Sequence, residues 1–339
     1  MYPGAFAATL ARAAAAFVVA AALPLAASAQ QFTAKIGTAT VNEDQHEWIK
    51  RFKEAVEAKS NNRIKVDIFP ANQLGSIPRQ IEGTQLGTQE AWIGPPGFLV
   101  GLDQRFQVFD FPGVFKDPDH AFKTLTHPDI RERFLGLGDG KGLKGVSAFI
   151  SSQQAYVFRR PVKTLADFRG LKLRVLAAKI ERRIVEEFGA SPVAMDLSEV
   201  LPAIQQGTVD GTRTVMSVFV PFKYWSVAKY LVATHEALLP AVAMFNKGWF
   251  DKLPPDLQAL VLAEGKRLEP DIQAFGIKIK AEMYETWVKN GGEIHRLSDA
   301  EQADYIRRVA KIGDEVAAEN PQVKQFYDLM VATSKKVGG

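Results

Sequence analysis

One stretch, residues 163–214, constrains the fold more than any other part of the chain. Residues 171–175 (LKLRV) alternate apolar and charged side chains as a short strand does, and residues 178–188 repeat apolar side chains at helical spacing. A glycine ends that helix, and a second short strand leads to another helix that begins at Ser198. Strand, helix, strand and helix in this order predict a parallel α/β sheet, whose ligands bind beyond the strand ends. Arg174, near the end of its strand, is therefore expected to face a crevice.

Arg174 by itself has two interpretations. A lone arginine on a short strand is commonly a solvated side chain at the edge of a sheet, whereas at the end of a parallel strand it faces a ligand crevice. The phrases LADFRGLKLRV (165–175) and GASPVAMDLSEVLPAIQQGTVDG (189–211) favour the second interpretation. Both closely resemble the DctP family of solute-binding proteins, which serve tripartite ATP-independent periplasmic (TRAP) transporters. The resemblance implies that Arg174 forms a salt bridge with the carboxylate of a bound organic acid.

Length and composition set the broad class of the protein. The chain has 339 residues, of which 47% are hydrophobic and 24% charged, as in a soluble globular protein with room for two domains. The net charge of +4 comes from no basic block, so a nucleic acid is not an expected partner. The chain contains no cysteine, which excludes disulfides, thiolate metal sites and cysteine nucleophiles.

The N-terminus has the pattern of a secretory signal peptide. A short leader whose only charge is Arg12 precedes an uncharged, alanine-rich run over residues 13–26, and residues 27–29 (ASA) have the small-x-small pattern of a cleavage site. The alternative is an uncleaved membrane anchor, but the run is shorter than the ~20 residues that a spanning helix needs. Residues 1–29 are therefore predicted to be removed, which leaves an exported periplasmic protein that is not embedded in a membrane.

Other parts of the chain extend the resemblance from residue 33 to about residue 320. Residues 35–93 have the pattern of a second β-α-β-α-β unit, and RIKVDIFPANQLG (63–75) within it resembles the family's opening domain. A helical pattern runs from Pro255 to about Asn290, roughly 54 Å at 1.5 Å per residue, with an expected kink at Pro270. This helix resembles the one that spans both lobes in the family.

The predicted fold is an α/β, two-lobed, periplasmic-binding-protein-like structure of class II type, with a long helix spanning both lobes. No Pro/Gly/Ser-rich linker divides the chain, so it is expected to cross between the lobes several times. The predicted first lobe comprises residues 30–151 and about 240–279. The predicted second lobe comprises residues 152–239 and about 280–339.

Motifs of catalysis are missing from the sequence. None of the five histidines lies in H-E-x-x-H or four residues from another, and neither G-x-S-x-G nor G-x-x-x-x-G-K-[ST] occurs. Residues 140–145 spell G-x-G-x-x-G, but they follow a helical pattern and precede a strand, whereas a dinucleotide site requires the reverse order. We therefore expect no enzyme activity, no cofactor and no metal site.

The resemblance also nominates residues of the binding cleft beside Arg174. Thr214 stands where the family has an asparagine that bonds the ligand, and Arg213 before it is interpreted either as a second cation of the cleft or as a surface-loop arginine. Gln153 and Gln154 stand where many members carry an arginine. The remaining candidates are neutral or apolar: Thr40, Pro95, Tyr156, Leu197 and Phe219, with Phe98 and Trp225 as further walls. The large apolar residues among them are individually more typical of a protein core.

The ligand class and mechanism follow from these residues. Because charges are few and apolar walls many, the sequence favours a monocarboxylate with an aromatic or aliphatic body over a sialic acid or a small dicarboxylate. As the resemblance implies, an open form captures the acid, Arg174 holds its carboxylate, hinge closure buries it, and the closed form docks on the TRAP permease. Some relatives are dimers, but we expect this protein to be a monomer. Two other classes stay open, a ligand-presenting subunit of a periplasmic sensor system and an ABC-type binding protein, although the second would not be expected to carry the GLKLRV…VDG phrases.

Overall fold

Strands and helices alternate along most of the chain in the computed structural model, which describes residues 31–338. The predicted signal peptide lies outside the described residues. The strands are β1 Phe32–Thr38, β2 Ile64–Phe69, β3 Ala91–Gly94, β4 Leu143–Phe158, β5 Lys172–Val175, β6 Ser191–Ala194, β7 Gly211–Val215, β8 Tyr230–Ala233, β9 Leu238–Asn246 and β10 Glu293–Arg296. The α-helices are α1 Asp44–Lys59, α2 Ile77–Leu86, α3 Pro118–Thr126, α4 Pro128–Leu135, α5 Lys179–Glu187, α6 Leu197–Gln206, α7 Met216–Phe219, α8 Lys247–Lys252, α9 Pro255–Lys289, α10 Asp299–Ala318 and α11 Pro321–Val337.

Two groups of parallel strands share one sheet, in the order β2-β1-β3-β9-β4-β7-β5-β6, from which β8 and β10 branch at β4. In the first group β1 is parallel to β2 and β3, and in the second β5 is parallel to β6 and β7. The antiparallel strand β4 belongs to both groups, because residues 143–153 pair with β9 and residues 154–158 pair with β7. The predicted alternation of parallel strands and helices is confirmed in both groups.

The shared strand β4 is much longer than the sequence predicts. The apolar pattern indicates a strand that ends at Ile150, but the strand continues to Phe158, with an irregular register between Ile150 and Ser152. The polar residues 151–154 interrupt the alternation of side chains, which is why the sequence pattern stops short. The G-x-G-x-x-G residues 140–145 run from the end of a 3₁₀ helix (Gly136–Lys141) into the start of β4, so they lack the order that a dinucleotide site needs.

Strand β5 lies between β6 and β7, so it is a central strand of the second group. Leu173, Arg174 and Val175 are all buried, and only Lys172 is exposed. The edge-strand interpretation of Arg174 is therefore wrong. Strands covered on both sides bury residues of either parity, which a simple alternation does not anticipate.

The long helix α9 joins the two halves of the sheet. Its earlier part, with Val261 and Ile272, packs in the apolar core around β1 and β2, and its end, with Trp287, packs in the core beside β7. The predicted helix is confirmed, and it runs without a break through Pro270. None of the helices in residues 31–338, α9 included, is both long and apolar enough to cross a membrane.

From Phe32 onward the chain forms one compact unit, because β4, β9 and α9 run through both halves. The predicted lobe boundaries therefore stay predictions. The last helix, α11, packs on α3 and on the 3₁₀ helix Gln104–Asp110, and also on α10. One of these contacts joins His120 Nε2 and the Ser334 carbonyl at 2.8 Å.

Candidate functional site

A small cavity lies at the carboxyl ends of β1, β3, β5 and β7, where a parallel α/β sheet binds its ligands. Thr40 and Pro95 follow β1 and β3 on one wall, and Arg174 and Thr214 lie near the ends of β5 and β7 on the other. The other lining residues are Ala39, Gln45, Ile77, Phe98, Leu176, Leu197, Val218 and Leu239. The cavity measures about 20 Å³, room for roughly one water molecule. An organic ligand therefore requires the two walls to separate.

Arg174 is the only cation among the residues that line this cavity. Its side chain is 2% exposed, and its Nε and Nη2 donate hydrogen bonds to the Met195 carbonyl at 3.1 and 3.0 Å. No aspartate or glutamate in residues 31–338 forms an ion pair with it. Burial lowers the pKa of Arg174, and the nearby Tyr224, Glu181 and Asp196 oppose that shift. A buried guanidinium without a carboxylate partner favours the arrival of an anion.

Asp196 connects the two walls of the cavity. It caps the N-terminus of α6 by accepting a hydrogen bond from Ser198 N at 3.0 Å, and its other oxygen accepts one from Ile77 N at 2.8 Å. Ile77 is the first residue of α2, whose own N-cap, Ser76, makes no side-chain cap bond. Asn72 also donates to Asp196, at 3.3 Å. One carboxylate thus satisfies the N-termini of helices on opposite sides of the cavity.

A second polar group lies on the wall that follows β1. Thr38 Oγ1 donates to Gln45 Oε1 at 3.1 Å, and Thr40 Oγ1 donates to Glu43 Oε1 at 2.6 Å. Glu43 also caps α1 by accepting from Gln45 N and His46 N. Burial, and then the neighbouring Asp44, raise the pKa of Glu43 well above its usual value, although its hydrogen bonds with Thr40 and Gln45 act in the other direction.

Arg213 does not line the cavity. Its Nη2 pairs with Glu236 Oε1 at 2.7 Å and its Nη1 pairs with Glu181, and all three side chains are fully buried. Burial disfavours the charge of Arg213, but the two carboxylates outweigh burial and raise its pKa well above the usual value. Tyr156 lies against this group, with its ring centroid 5.9 Å from the guanidinium carbon and its hydroxyl 2.9 Å from that of Tyr305. The surface-loop interpretation of Arg213 is therefore wrong.

The structure brings part of the predicted site together. The candidates that line the cavity are Arg174, Thr214, Thr40, Pro95 and Leu197, with Phe98 beside them. Gln153 instead accepts a hydrogen bond from Lys280 at 2.8 Å, and Gln154 donates one to Glu181 at 2.9 Å. Phe219, like Tyr156 and Trp225, packs in the core away from the cavity lining.

Gln45 is the polar lining residue that the sequence reasoning missed. It lies in the first turn of α1, directly after the strand β1. Because ligands meet the first turns of the helices that follow parallel strands, this position was a signal of a site residue. The same reasoning identifies Ile77, at the start of α2, as a wall residue.

The lining is suited to binding rather than to catalysis. It comprises one cation, three neutral polar side chains and eight apolar residues. None of these lining residues is a carboxylate or a histidine, so the cavity wall itself offers no general acid or base. Within residues 31–338, no group of three or more histidine, aspartate or glutamate side chains is placed to hold a metal ion.

Comparison with known families gives a match over most of the chain. The family model of the bacterial extracellular solute-binding proteins, family 7 (DctP), matches residues 37–320. A solute-binding protein of Verminephrobacter eiseniae is 34% identical over 239 residues, which cover 70% of this chain and 71% of the relative. The 2,3-diketo-L-gulonate-binding periplasmic protein YiaO of Escherichia coli is 29% identical over 225 residues, which cover 66% and 68%.

The solved structures support the same fold. A TRAP periplasmic solute binding protein from Desulfovibrio salexigens with bound orotic acid has a TM-score of 0.86 and 23% sequence identity, and the match covers 91% of this chain and 100% of that one. The predicted two-lobed fold is thereby confirmed. The family consists of binding proteins of transporters, not of enzymes. This chain therefore belongs to the DctP family, family 7 of the bacterial extracellular solute-binding proteins, and is a TRAP solute-binding protein.

Proposed function

We propose that this protein captures an organic monocarboxylate with an apolar body and delivers it to the membrane permease of a TRAP transporter. The observation that carries the proposal is Arg174, a buried guanidinium in the cavity wall whose acceptor is a backbone carbonyl and not a carboxylate. A ligand carboxylate accepts charge-assisted hydrogen bonds from such a group and compensates its charge. Thr214, beside it in the lining, supplies a hydroxyl for the same carboxylate.

The balance of the lining supports a single carboxylate. A second carboxylate would need a second cation, and Arg213 is committed to Glu181 and Glu236. Eight apolar lining residues favour an aliphatic or aromatic body. The names of the relatives support an organic acid in general, since one binds 2,3-diketo-L-gulonate and one solved structure holds orotic acid.

The proposed cycle uses the two walls of the cavity. In the open form the acid reaches Arg174, and closure then forms the hydrogen bond between Asp196 and Ile77 that joins the walls. The closed protein, as a monomer, docks on the permease, which reopens it. The ligand leaves unchanged.

Export to the periplasm is part of the proposal. The N-terminal pattern predicts cleavage after Ala29, so the mature chain begins at Gln30. Intact mass measurement of the protein recovered from periplasm tests this. A full-length mass in the membrane fraction would contradict it.

A thermal-shift screen tests the ligand class. The mature protein is screened against mono- and dicarboxylates, and a ligand at 100 times its Kd is expected to add about 2.7 kcal/mol to the free energy of unfolding, a shift of several degrees. Arg174→Gln is expected to abolish the shift, whereas Arg182→Gln, which removes an exposed arginine from α5, is expected to keep it. A shift that survives in Arg174→Gln would overturn the proposed role of Arg174, and a dicarboxylate as the tightest ligand would overturn the ligand class.

A further inference from the structure

Gln45 and Thr40 form a second polar end of the cavity, here called the β1 pole, on the wall opposite Arg174. Gln45 is 3% exposed, and its Oε1 already accepts the hydrogen bond of Thr38. Its side-chain amide nitrogen donates no hydrogen bond to residues 31–338, so its two protons are available to a ligand. The hydroxyl proton of Thr40 goes to Glu43, so the oxygen of Thr40 presents lone pairs.

The hydrogen bonds behind the β1 pole fix both side chains in place. Glu43 holds Thr40 from behind, and Glu43 is itself fixed by two backbone N–H groups at the start of α1. Thr38, fully buried at the end of β1, fixes the plane of the Gln45 amide. A site that is held in this way binds a matching polar group without first having to order its own side chains.

The β1 pole also has acidic groups behind it. Glu43 and Asp44 are both buried, and neither is paired with a lysine or arginine among residues 31–338. The two carboxylate oxygens of Asp44 have no hydrogen-bond partner there. Burial is the larger cause of the raised pKa of Glu43 and the neighbouring Asp44 adds to it, and both effects would also act on a ligand carboxylate placed at this end. This end of the cavity therefore has hydrogen-bonding groups but no counter-charge for an anion.

We propose, on the basis of the proposed function above, that the β1 pole selects monocarboxylates that carry an uncharged hydroxyl or carbonyl group at the end remote from Arg174. The β1 pole also excludes a second carboxylate. Gln45 determines this specificity. The selection has two components. An acceptor on the ligand satisfies the amide protons of Gln45, which an unsubstituted acid leaves unpaired in a closed cavity. A second carboxylate meets the buried Glu43 and Asp44, which is discrimination by repulsion.

Two matched series of acids test the proposal. The aliphatic series is hexanoate, 6-hydroxyhexanoate and adipate, and the aromatic series is benzoate, 4-hydroxybenzoate and terephthalate. Other acids found in the thermal-shift screen are added with their hydroxyl and carboxyl analogues. Dissociation constants are measured by calorimetry for the wild-type protein, Gln45→Leu, Asp44→Asn and Gln325→Leu. Gln325 is an exposed residue of α11, so its variant repeats the chemical change far from the β1 pole.

The expected result is a difference within each series. In the wild type and in Gln325→Leu, the hydroxy acid binds about 3- to 10-fold more tightly than its parent, as one hydrogen bond implies, and the dicarboxylate binds most weakly. In Gln45→Leu the ratio between hydroxy acid and parent falls to about one while the parent acid still binds, which also shows that the variant is folded. In Asp44→Asn the dicarboxylate gains affinity relative to the parent acid, because a buried carboxylate behind the β1 pole is removed.

The outcomes separate this proposal from the proposed function. The role of the β1 pole alone would be overturned if the parent acids bind through Arg174 but no hydroxy acid binds more tightly than its parent. It would also be overturned if the tighter binding of the hydroxy acid persists in Gln45→Leu. Acids whose binding does not depend on Arg174 would overturn the proposed function itself. Adipate or terephthalate binding most tightly would overturn both.

Discussion

Asp196 accepts a hydrogen bond from the backbone N–H of Ile77 at 2.8 Å, although the two residues belong to helices on opposite walls of the cavity. The residue before Asp196 is Met195, whose carbonyl accepts both hydrogen bonds that Arg174 makes. Arg174, which is proposed to bind the ligand carboxylate, therefore also binds the backbone next to the hydrogen bond between Asp196 and Ile77 that joins the two walls. We therefore expect ligand binding and closure to be linked through these adjacent residues.

Loss of the Asp196 carboxylate is expected to weaken ligand binding without changing which acid binds best. In Asp196→Ala the closed form loses a charged hydrogen bond, of about 1.5–3 kcal/mol, so ligand affinity is expected to fall tenfold or more through faster dissociation. Stopped-flow measurement of the dissociation rate constant checks this. Asp117→Ala is the control, because Asp117 caps α3 through His120 N at 2.8 Å but joins no second wall. Equal dissociation rate constants in the two variants would contradict the role of Asp196 in closure.

Arg213 is expected to contribute to stability rather than to ligand contact. Arg213→Gln leaves Glu181 and Glu236 buried without their cation, so the free energy of unfolding is expected to fall by about 3–5 kcal/mol. Urea unfolding at neutral pH measures the change.

A compensated variant serves as the control for Arg213. Arg213→Met combined with Glu181→Gln and Glu236→Gln removes all three charges, and it is expected to recover much of the lost stability. If Arg213→Gln kept the wild-type free energy of unfolding and lost ligand binding, the interpretation of Arg213 as a cation of the cleft would be restored.

Asp110 is expected to make the protein less stable as the pH rises. Both of its carboxylate oxygens are buried without a hydrogen-bond partner, and burial, then the charge of Glu181, raise its pKa well above 3.8, with Arg213 opposing. Above pH 3.8 the unfolded chain releases this proton while the folded protein keeps it. The unfolded state therefore binds fewer protons, and the free energy of unfolding decreases with pH until the folded-state pKa is reached.

The variant Asp110→Asn isolates this contribution. Its free energy of unfolding is expected to decrease less than that of the wild type between pH 4 and the folded-state pKa, because the amide does not titrate. Urea unfolding across pH 4 to 8 gives the comparison, with the exposed Asp119→Asn as a control. The same pH dependence in Asp110→Asn and the wild type would mean that Asp110 is not protonated in the folded state.

Gly265 allows α9 to pack closely on β4. A Cβ atom at this position would lie 2.4 Å from Val146 Cγ1 and 2.8 Å from the Val146 carbonyl oxygen. Gly265→Ala is therefore expected to lower the free energy of unfolding by about 1–3 kcal/mol through overpacking, which calorimetric Tm values measure. Gly101→Ala is the control, since no atom lies within 4 Å of its added Cβ. A Tm of Gly265→Ala equal to that of the control would show that the crossing has room to adjust.

Much of the fold follows from local features of the sequence. The apolar periods and the Gly189 and Gly207 stops predict β5, α5, β6 and α6 almost to the residue, and the pattern from Pro255 predicts the full length of α9. The family phrases and strand end together point to Arg174, which the structure places in the cavity wall. These features can be predicted from the sequence because the apolar periods of helices and strands, the residues that end them and the family phrases all involve residues that are close in sequence.

The tertiary structure decided which side chains meet. Whether Arg213 faces a ligand or a carboxylate depends on Glu181 and Glu236, which lie 32 residues before it and 23 after it. Gln45 became part of the site only because folding brings the start of α1 to the same cavity as the ends of β5 and β7. The sequence by itself determined most of the elements, though not the length of β4, and the cation at a strand end. The partners of each polar side chain were decided by long-range packing, because burial and opposing charge come from distant parts of the chain.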